Sequence, residues 1–171
     1  LVQCSPAATA DTNHEGVTVL SPEIEPVHTD CAFAGTVRTV RLDPTALWAP
    51  VETLDRALEG EVIVVDAGDS VEEAIWGELL STYATEIGVR GLVTNGAVRD
   101  VAGIRAAGFP AFARDVTPRG PSGNTEVERN GETTVGGASI APGDVLVGDE
   151  SGLVAIERDA VSDVTEAAQA I

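Results

Sequence analysis

The feature that most constrains the fold is the segment at residues 91–100, Gly-Leu-Val-Thr-Asn-Gly-Ala-Val-Arg-Asp. Its first four residues form an apolar run with the length of a buried strand, and Asn95-Gly96 is a turn sequence that typically ends such a strand. Asp100 is a residue type that commonly caps a helix, so we expect a helix to follow it. A strand that turns into a helix is the repeating unit of α/β proteins, and their ligands usually lie at that end of the strand.

Hydrophobic patterns along the rest of the chain predict the same class of fold. Helices are expected at residues 7–15, 48–58 and 72–87, from Asp100 to Ala107, and from Asp159 onward. Strands are expected at residues 32–42, 61–66, 91–94, 126–135 (with a turn at Asn130-Gly131), 138–140, 144–148 and 153–157. Helices and strands alternate before Phe109, and strands dominate after it. The pattern therefore predicts an α/β fold, with layered α/β/β architecture and a single domain spanning residues 1–171.

The composition suits a globular protein inside the cell. A chain of 171 residues with 43% hydrophobic content can bury one core without metal or disulfide cross-links. No apolar run approaches the roughly 18 residues of a membrane span, and no signal-peptide pattern stands at the amino end. Cys4 and Cys31 lack metal-ligand spacing and are expected to be reduced thiols. We predict a cytoplasmic protein without membrane contact. The absence of methionine also suggests that the natural start is missing or processed.

The charge balance excludes several functions. Twenty-eight acidic residues face ten basic ones, giving a net charge of −18, and all ten basic residues are arginine. The negative electrostatic field of such a charge repels the phosphates of DNA and RNA, so no nucleic-acid partner is expected. An evenly acidic surface without lysine indicates adaptation to high salt, where screening removes self-repulsion. Without lysine the chain cannot form a Schiff-base aldolase, a pyridoxal phosphate anchor or a P-loop, so carbon–carbon chemistry would need a metal ion as its electrophile.

Arg99 and Asp100 are the strongest candidates for chemistry. The planar guanidinium of Arg99 suits a two-pronged hydrogen bond to a carboxylate. The carboxylate of Asp100 suits a hard cation such as Mg²⁺ or Mn²⁺. The alternative from the residues alone is that the pair is simply a helix cap with an exposed ion pair.

A second candidate is the sequence Trp76-Gly-Glu-Leu-Leu80. If a helix begins at Gly77, the backbone N–H groups of Glu78, Leu79 and Leu80 are free to bind an anion. The alternative is a glycine tolerated inside a longer helix at a cost of about 1 kcal/mol.

The ordered motifs at 64–69, 77–80, 91–100, 136–144 and 148–152 closely resemble the RraA-like family, over roughly residues 9 to 157. That family contains the regulator of ribonuclease activity A and the 4-hydroxy-4-methyl-2-oxoglutarate aldolases, which also decarboxylate oxaloacetate. The resemblance implies an α/β/β swivelling-type domain that assembles as a homotrimer or hexamer. It implies that the glycine-led loop at Gly77, Glu78, Leu79 and Leu80, together with Arg99, holds a pyruvate-like substrate, and that Asp100 binds the divalent metal.

Two positions differ from the pattern of the aldolases. Gly103 and Asn95 stand where those enzymes commonly carry acidic residues. The resemblance nevertheless implies a divalent-metal-dependent lyase, an aldolase or decarboxylase, that releases pyruvate from a small oxo-dicarboxylic acid such as 4-hydroxy-4-methyl-2-oxoglutarate or oxaloacetate. Arg99 and Asp100 are the expected catalytic residues, and the expected partner is a small anionic 2-oxo acid substrate. The alternatives are a non-catalytic regulator that binds proteins and a related enzyme with another anionic substrate.

Six further residues are weaker candidates. His14 and His28 are expected to be structural. Asp66, Asp69 and Asp149 end strands and could support the site or simply hold turns. Arg119 could add positive charge to a shared site.

Overall fold

The computed structural model describes residues 4–42, 49–122 and 127–171. Most of its strands form one mixed sheet of nine strands, in the order β1-β14-β13-β3-β4-β6-β8-β2, with β10 paired to β3. These strands are β1 (Val17–Val19), β2 (Glu25–Pro26), β3 (Phe33–Leu42), β4 (Glu61–Asp66), β6 (Gly91–Thr94), β8 (Ala111–Ala113), β10 (Val127–Arg129), β13 (Val145–Asp149) and β14 (Gly152–Ile156). The α/β fold class predicted from the sequence is confirmed.

The centre of this sheet is parallel and covered on both faces. Strand β4 pairs in parallel with β3 and with β6, and β6 pairs in parallel with β8. Val62 through Val65 are fully buried, as a continuous apolar run in a parallel sheet must be. Helices cover one face, and a two-stranded hairpin formed by β11 (Thr133–Val135) and β12 (Ala138–Ile140) covers the other.

Five α-helices lie within the described residues, and their bounds refine the predictions. They are α1 (Pro6–Asp11), α2 (Ala49–Leu54), α3 (Glu78–Glu86), α4 (Val101–Ala106) and α5 (Val161–Gln169). The predicted start of the second helix at Trp48 and of the strand at Glu126 lie outside the described residues. The closing helix begins with a 3₁₀ turn, Arg158–Ala160, before α5. No helix in the described part of the chain has both the length and the apolar character that a membrane span requires.

A separate parallel sheet carries the candidate site. It consists of β5 (Ala74–Trp76), β7 (Ala97–Val98) and β9 (Asp115–Val116), in that order. The predicted helix at residues 72–87 was wrong in its first part, because Ala-Ile-Trp at 74–76 is completely buried and pairs with β7 instead. Strand pairing and burial thus override the local helical pattern there, and the helix begins only at Glu78.

Candidate functional site

The turn between β5 and α3 is held by a buried hydrogen-bond chain. The Trp76 indole N–H donates to the Ser81 hydroxyl at 2.9 Å, and that hydroxyl donates to the Gly77 carbonyl at 2.9 Å. The Trp76 ring also stacks on Phe109 at a centroid distance of 5.8 Å. These contacts fix the point at which the helix starts. They involve residues that sequence reasoning missed, although a tryptophan five residues before a serine is too common a pattern to have predicted them.

Gly77 is the N-cap of α3, so the alternative of a glycine inside a longer helix is wrong. The first helical hydrogen bond at this end runs from the Ser81 N–H to the Gly77 carbonyl at 3.1 Å. The amides of Glu78, Leu79 and Leu80 precede it and have no helical partner. The positive end of the helix dipole therefore faces the space beyond Gly77.

Strand β7 brings Arg99 and Asp100 to this helix end. The Arg99 backbone N–H donates to the Trp76 carbonyl at 2.9 Å, which ties Arg99 to the residue just before Gly77. Asp100 follows with φ +56°, in the left-handed region, and is the N-cap of α4. Its position at the helix start was predicted correctly, but its side chain makes no capping hydrogen bond. The carboxylate is therefore available for other interactions.

The two charged side chains lie against each other and against Gly77. Arg99 Nε is 3.4 Å from Asp100 Oδ2, and the two side chains are 43% and 49% exposed. A Cβ atom at position 77 would lie 2.9 Å from Asp100 Oδ2 and 3.2 Å from Arg99 Cγ. The absence of a side chain at Gly77 therefore makes room for both groups.

These residues line one cleft, which we call the Arg99–Asp100 cleft. Its volume is about 190 Å³, and its walls are Val51, residues 74–80, Arg99, Asp100 and Pro121. The structure thus brings together all six predicted site residues, namely Gly77, Glu78, Leu79, Leu80, Arg99 and Asp100. The arrangement offers a guanidinium, two carboxylates and a helix amino end within one small space.

The side chain of Glu78 is a component that sequence reasoning missed, because only the backbone of this residue was assigned a role. A Cβ atom at position 103 would lie 2.5 Å from Glu78 Cγ and Cδ and 2.6 Å from its Cβ. Glu78 therefore packs directly over Gly103. An acidic side chain at position 103 would have to displace Glu78, so the glycine and the glutamate belong together in this chain.

Asn95, the second departure from the aldolase pattern, belongs to a buried network around Asp66. Its Nδ2 donates to Asp66 Oδ1 at 2.9 Å, and its Oδ1 accepts from the Ala67 N–H at 2.7 Å. Asp66 also accepts from Thr133 Oγ1 at 2.7 Å and from Arg41 Nε at 3.2 Å. A second carboxylate at position 95 would face Asp66 directly, and the two would repel each other.

The hydrogen bonds of this network keep Asp66 ionised. Burial by itself raises the pKa of the Asp66 carboxyl, but hydrogen bonds from Asn95, Thr133, the Gly68 N–H and Arg41 outweigh it and hold the pKa below its ordinary value. The pKa is lowered because each donor stabilises the charged form. Asp66 is thus a satisfied structural anion rather than a free ligand.

The remaining candidates lie in structural contacts. Asp69 pairs with Arg114 at 3.1 Å, and Asp149 accepts from the Ser151 N–H at 2.7 Å in the β13–β14 turn. His14 Nδ1 accepts from the Gly16 N–H at 3.0 Å, and His28 Nε2 lies 2.9 Å from the Phe109 carbonyl. The carbonyl of Arg119 accepts from the Ala74 N–H at 2.7 Å. Cys4 and Cys31 are free thiols.

The carboxylates among the described residues of the cleft are too few to enclose a metal ion, but they are of the type that hard cations accept. Within the described ranges, no group of three or more histidine, cysteine, aspartate or glutamate residues could surround a metal ion. Two residues of the cleft, Glu78 and Asp100, supply carboxylate oxygens of the type that Mg²⁺ and Mn²⁺ accept. A cation held by so few protein ligands would keep most of its water, which Mg²⁺ tolerates and structural zinc does not.

Comparison with known proteins identifies the family. The family model described as RraA-like, Aldolase/RraA, matches residues 7–155. The chain therefore belongs to the RraA-like family, which confirms the resemblance seen in its motifs.

The similar proteins include a named aldolase candidate and two RraA proteins. A protein of Halalkalibacterium halodurans, named as a candidate 4-hydroxy-4-methyl-2-oxoglutarate aldolase, is 31% identical over 155 residues, covering 91% of this chain and 74% of its own. The RNA-processing inhibitor RraA from Thermus thermophilis has 29% identity and a TM-score of 0.79, covering 86% of this chain and 91% of its own. Streptomyces coelicolor RraAS2, a member of the RNase ES inhibitor RraA family, has 27% identity and a TM-score of 0.84, covering 98% and 88%.

Proposed function

We propose that this protein is a divalent-metal-dependent lyase that releases pyruvate from a small oxo-dicarboxylic acid, such as 4-hydroxy-4-methyl-2-oxoglutarate or oxaloacetate. The observation that carries the proposal is the meeting of Arg99, Asp100 and the amino end of α3 in one cleft. A guanidinium and a helix amino end together suit an anionic substrate. The Asp100 carboxylate beside them makes no capping hydrogen bond and suits a cation.

Arg99 would bind the substrate carboxylate. Its planar fork donates two parallel hydrogen bonds to such a group, and its charge offsets the net −18 of a protein that otherwise repels a dianion. The amides of Glu78, Leu79 and Leu80, which line the same cleft, would donate to the same carboxylate. Both interactions orient the substrate, and orientation lowers the activation barrier because less freedom is lost in the reaction step.

Asp100 would hold Mg²⁺ or Mn²⁺, and Glu78, which lines the same cleft, is a second carboxylate residue that would bind the cation or its water. Such a cation, when bound, polarises the 2-oxo group and stabilises the negative charge that develops during carbon–carbon cleavage. With no lysine in the chain, a Schiff base cannot perform that task.

The second candidate function is non-catalytic regulation by binding another protein. The two RraA structures above support it, since their names describe inhibitors of RNA processing and of an RNase. Leu79, 83% exposed at the edge of the cleft, offers an apolar contact for a partner.

The same cleft would also accept another anionic 2-oxo acid, and an enzyme with such a substrate is the third candidate. For each we propose a cytoplasmic homotrimer or hexamer that binds neither nucleic acid nor membrane.

The deciding experiment measures pyruvate release from oxaloacetate and from 4-hydroxy-4-methyl-2-oxoglutarate in molar KCl. Activity should require Mg²⁺ or Mn²⁺, should disappear in excess chelator, and should be lost in Asp100→Asn. Asn tolerates the left-handed backbone of Asp100, so this variant keeps the local fold. Asp163→Ala, which removes an exposed charge from α5, is the matched control. Full activity in excess chelator would refute the metal requirement. No pyruvate release from any 2-oxo acid would favour the non-catalytic function of binding another protein.

A further inference from the structure

The loop at residues 117–122 closes over the side chain of Arg99. Its backbone is bound to both strands that carry the site. The Thr117 N–H donates to the Val98 carbonyl at 3.0 Å, and the Arg119 carbonyl accepts from the Ala74 N–H at 2.7 Å. The Ser122 hydroxyl adds a hydrogen bond to Glu73 Oε1 at 3.0 Å. The position of the loop is therefore set by β5 and β7, the same strands that position Arg99.

Gly120 is the point at which the loop meets the guanidinium. A Cβ atom at this position would lie 2.6 Å from Arg99 Nη1, 3.4 Å from Cζ and 3.9 Å from Nη2. All three of its nearest neighbours thus belong to the head group of one side chain. The first of these distances is shorter than real contacts allow, so any side chain at position 120 would push the guanidinium away.

The stem of Arg99 is confined in the same way by a second glycine. A Cβ atom at Gly77 would lie 3.2 Å from Arg99 Cγ and 3.6 Å from Nε. The long side chain therefore lies between two backbone segments, with Gly77 against its stem and Gly120 against its tip. An arginine side chain loses rotamer entropy when it is immobilised, so confinement before binding favours a bound ligand.

We propose that Gly120 is a positioning residue for Arg99, which it holds in the orientation that receives the substrate carboxylate. The inference rests on the proposed function for the identity of the ligand, but the contact itself does not. Gly120 does not have the positive φ that would make its glycine a backbone requirement. Its role is therefore to leave space for the guanidinium.

The test is Gly120→Ala, which should move Arg99 without unfolding the protein. The melting temperature should stay within about 2 °C of the parent, because the added methyl group meets only the tip of a side chain that is 43% exposed and can turn toward solvent. The Arg99 Nε–H resonance, identified by its absence in Arg99→Lys, should shift in the NMR spectrum. The dissociation constant for oxalate with Mg²⁺, measured by calorimetry, should rise at least about fivefold.

A double-mutant cycle supplies the control. In an Arg99→Ala background, Gly120→Ala should cause no further loss of oxalate binding, because the group it displaces is gone. Equal and independent losses in the two backgrounds would overturn the proposal. So would an unshifted Arg99 resonance, or unfolding of Gly120→Ala that Arg99→Ala does not relieve. If the parent fails to bind oxalate, the proposed function falls, while the NMR comparison still decides whether Gly120 positions Arg99.

Discussion

Two aspartates at strand ends, Asp66 as the last residue of β4 and Asp100 two residues beyond β7, have opposite environments. Asp66 is 7% exposed and accepts hydrogen bonds from four groups. Asp100 has a side chain that is 49% exposed, and its ion pair with Arg99 is long, at 3.4 Å. The comparison teaches that a strand-end carboxylate holds the fold when its oxygens are already satisfied, and is available to ligands when they are not.

The largest effect should come from exchanging each aspartate for asparagine. Asp66→Asn should lower the free energy of unfolding by about 3 kcal/mol, because it turns one of two accepting oxygens into an amide N–H₂ group that faces other donors. Asp100→Asn should change stability by less than about 0.5 kcal/mol, yet abolish pyruvate release. Urea denaturation and the pyruvate assay measure the two quantities. Equal stability losses in the two variants would remove the distinction.

The pH dependence of Asp66→Asn sharpens the same point. A carboxyl whose folded pKa is lowered contributes stability above its unfolded pKa of about 3.9, and that contribution is lost as the pH falls through the folded value. The difference in unfolding free energy between the parent and Asp66→Asn should therefore be full at pH 7 and shrink in acid. A difference that does not change with pH would show that Asp66 is not the ionised anion described above.

Arg99 should show the next largest effect. Arg99→Lys keeps the charge but loses the planar fork. The value of kcat/KM should therefore fall by a factor that corresponds to a loss of about 1.5–3 kcal/mol of transition-state stabilisation. Metal affinity should change much less, because carboxylates supply the ligands. Glu78→Ala should be milder than Arg99→Lys, since the backbone of Glu78 remains. Steady-state kinetics at several Mg²⁺ concentrations separate these effects. Parent-like turnover of Arg99→Lys would contradict the assignment.

Asn95→Asp would introduce the acidic residue of the aldolase pattern into the buried network around Asp66. The new carboxyl contacts Asp66, so the pair would share a proton and its upper pKa would be raised. A raised folded pKa favours folding at low pH and costs stability as the pH rises through it. The loss relative to the parent should be small near pH 4.5 and reach about 1–2 kcal/mol near pH 7.5. Urea denaturation at the two pH values decides it. Asn95→Leu, which cannot titrate, is the control.

Salt should have the smallest effect, and it should act equally on the variants of the two aspartates. Between 0.1 M and 1 M KCl the Debye length falls from about 10 Å to about 3 Å, which screens the repulsion within a surface of net charge −18. The melting temperature of the parent and of Asp100→Asn should rise by about 2–4 °C for each kcal/mol gained. Asp66→Asn should gain the same increment and no more, because its defect is buried. A melting temperature that does not change between 0.1 M and 1 M KCl would refute adaptation to high salt.

Local sequence determined the buried strands and the candidate residues. Continuous apolar runs at 62–65 and 91–94 predicted buried strands, because burial on both faces favours such runs. The Arg99-Asp100 pair and Gly77 were likewise visible, since their chemistry depends on residue type and on a neighbouring strand or helix end. The order of the motifs was sufficient to indicate the family.

Tertiary structure decided what each of these residues contacts. Ala74–Trp76 became a strand because pairing with β7 and complete burial outweigh a local helical pattern. Asp66 and Asp100 differ through neighbours such as Thr133 and Gly77, which lie 67 and 23 positions away in the chain. Close approach of Gly120 to Arg99 and of Gly103 to Glu78 likewise joins distant segments. Such contacts depend on three-dimensional packing, which no local pattern encodes.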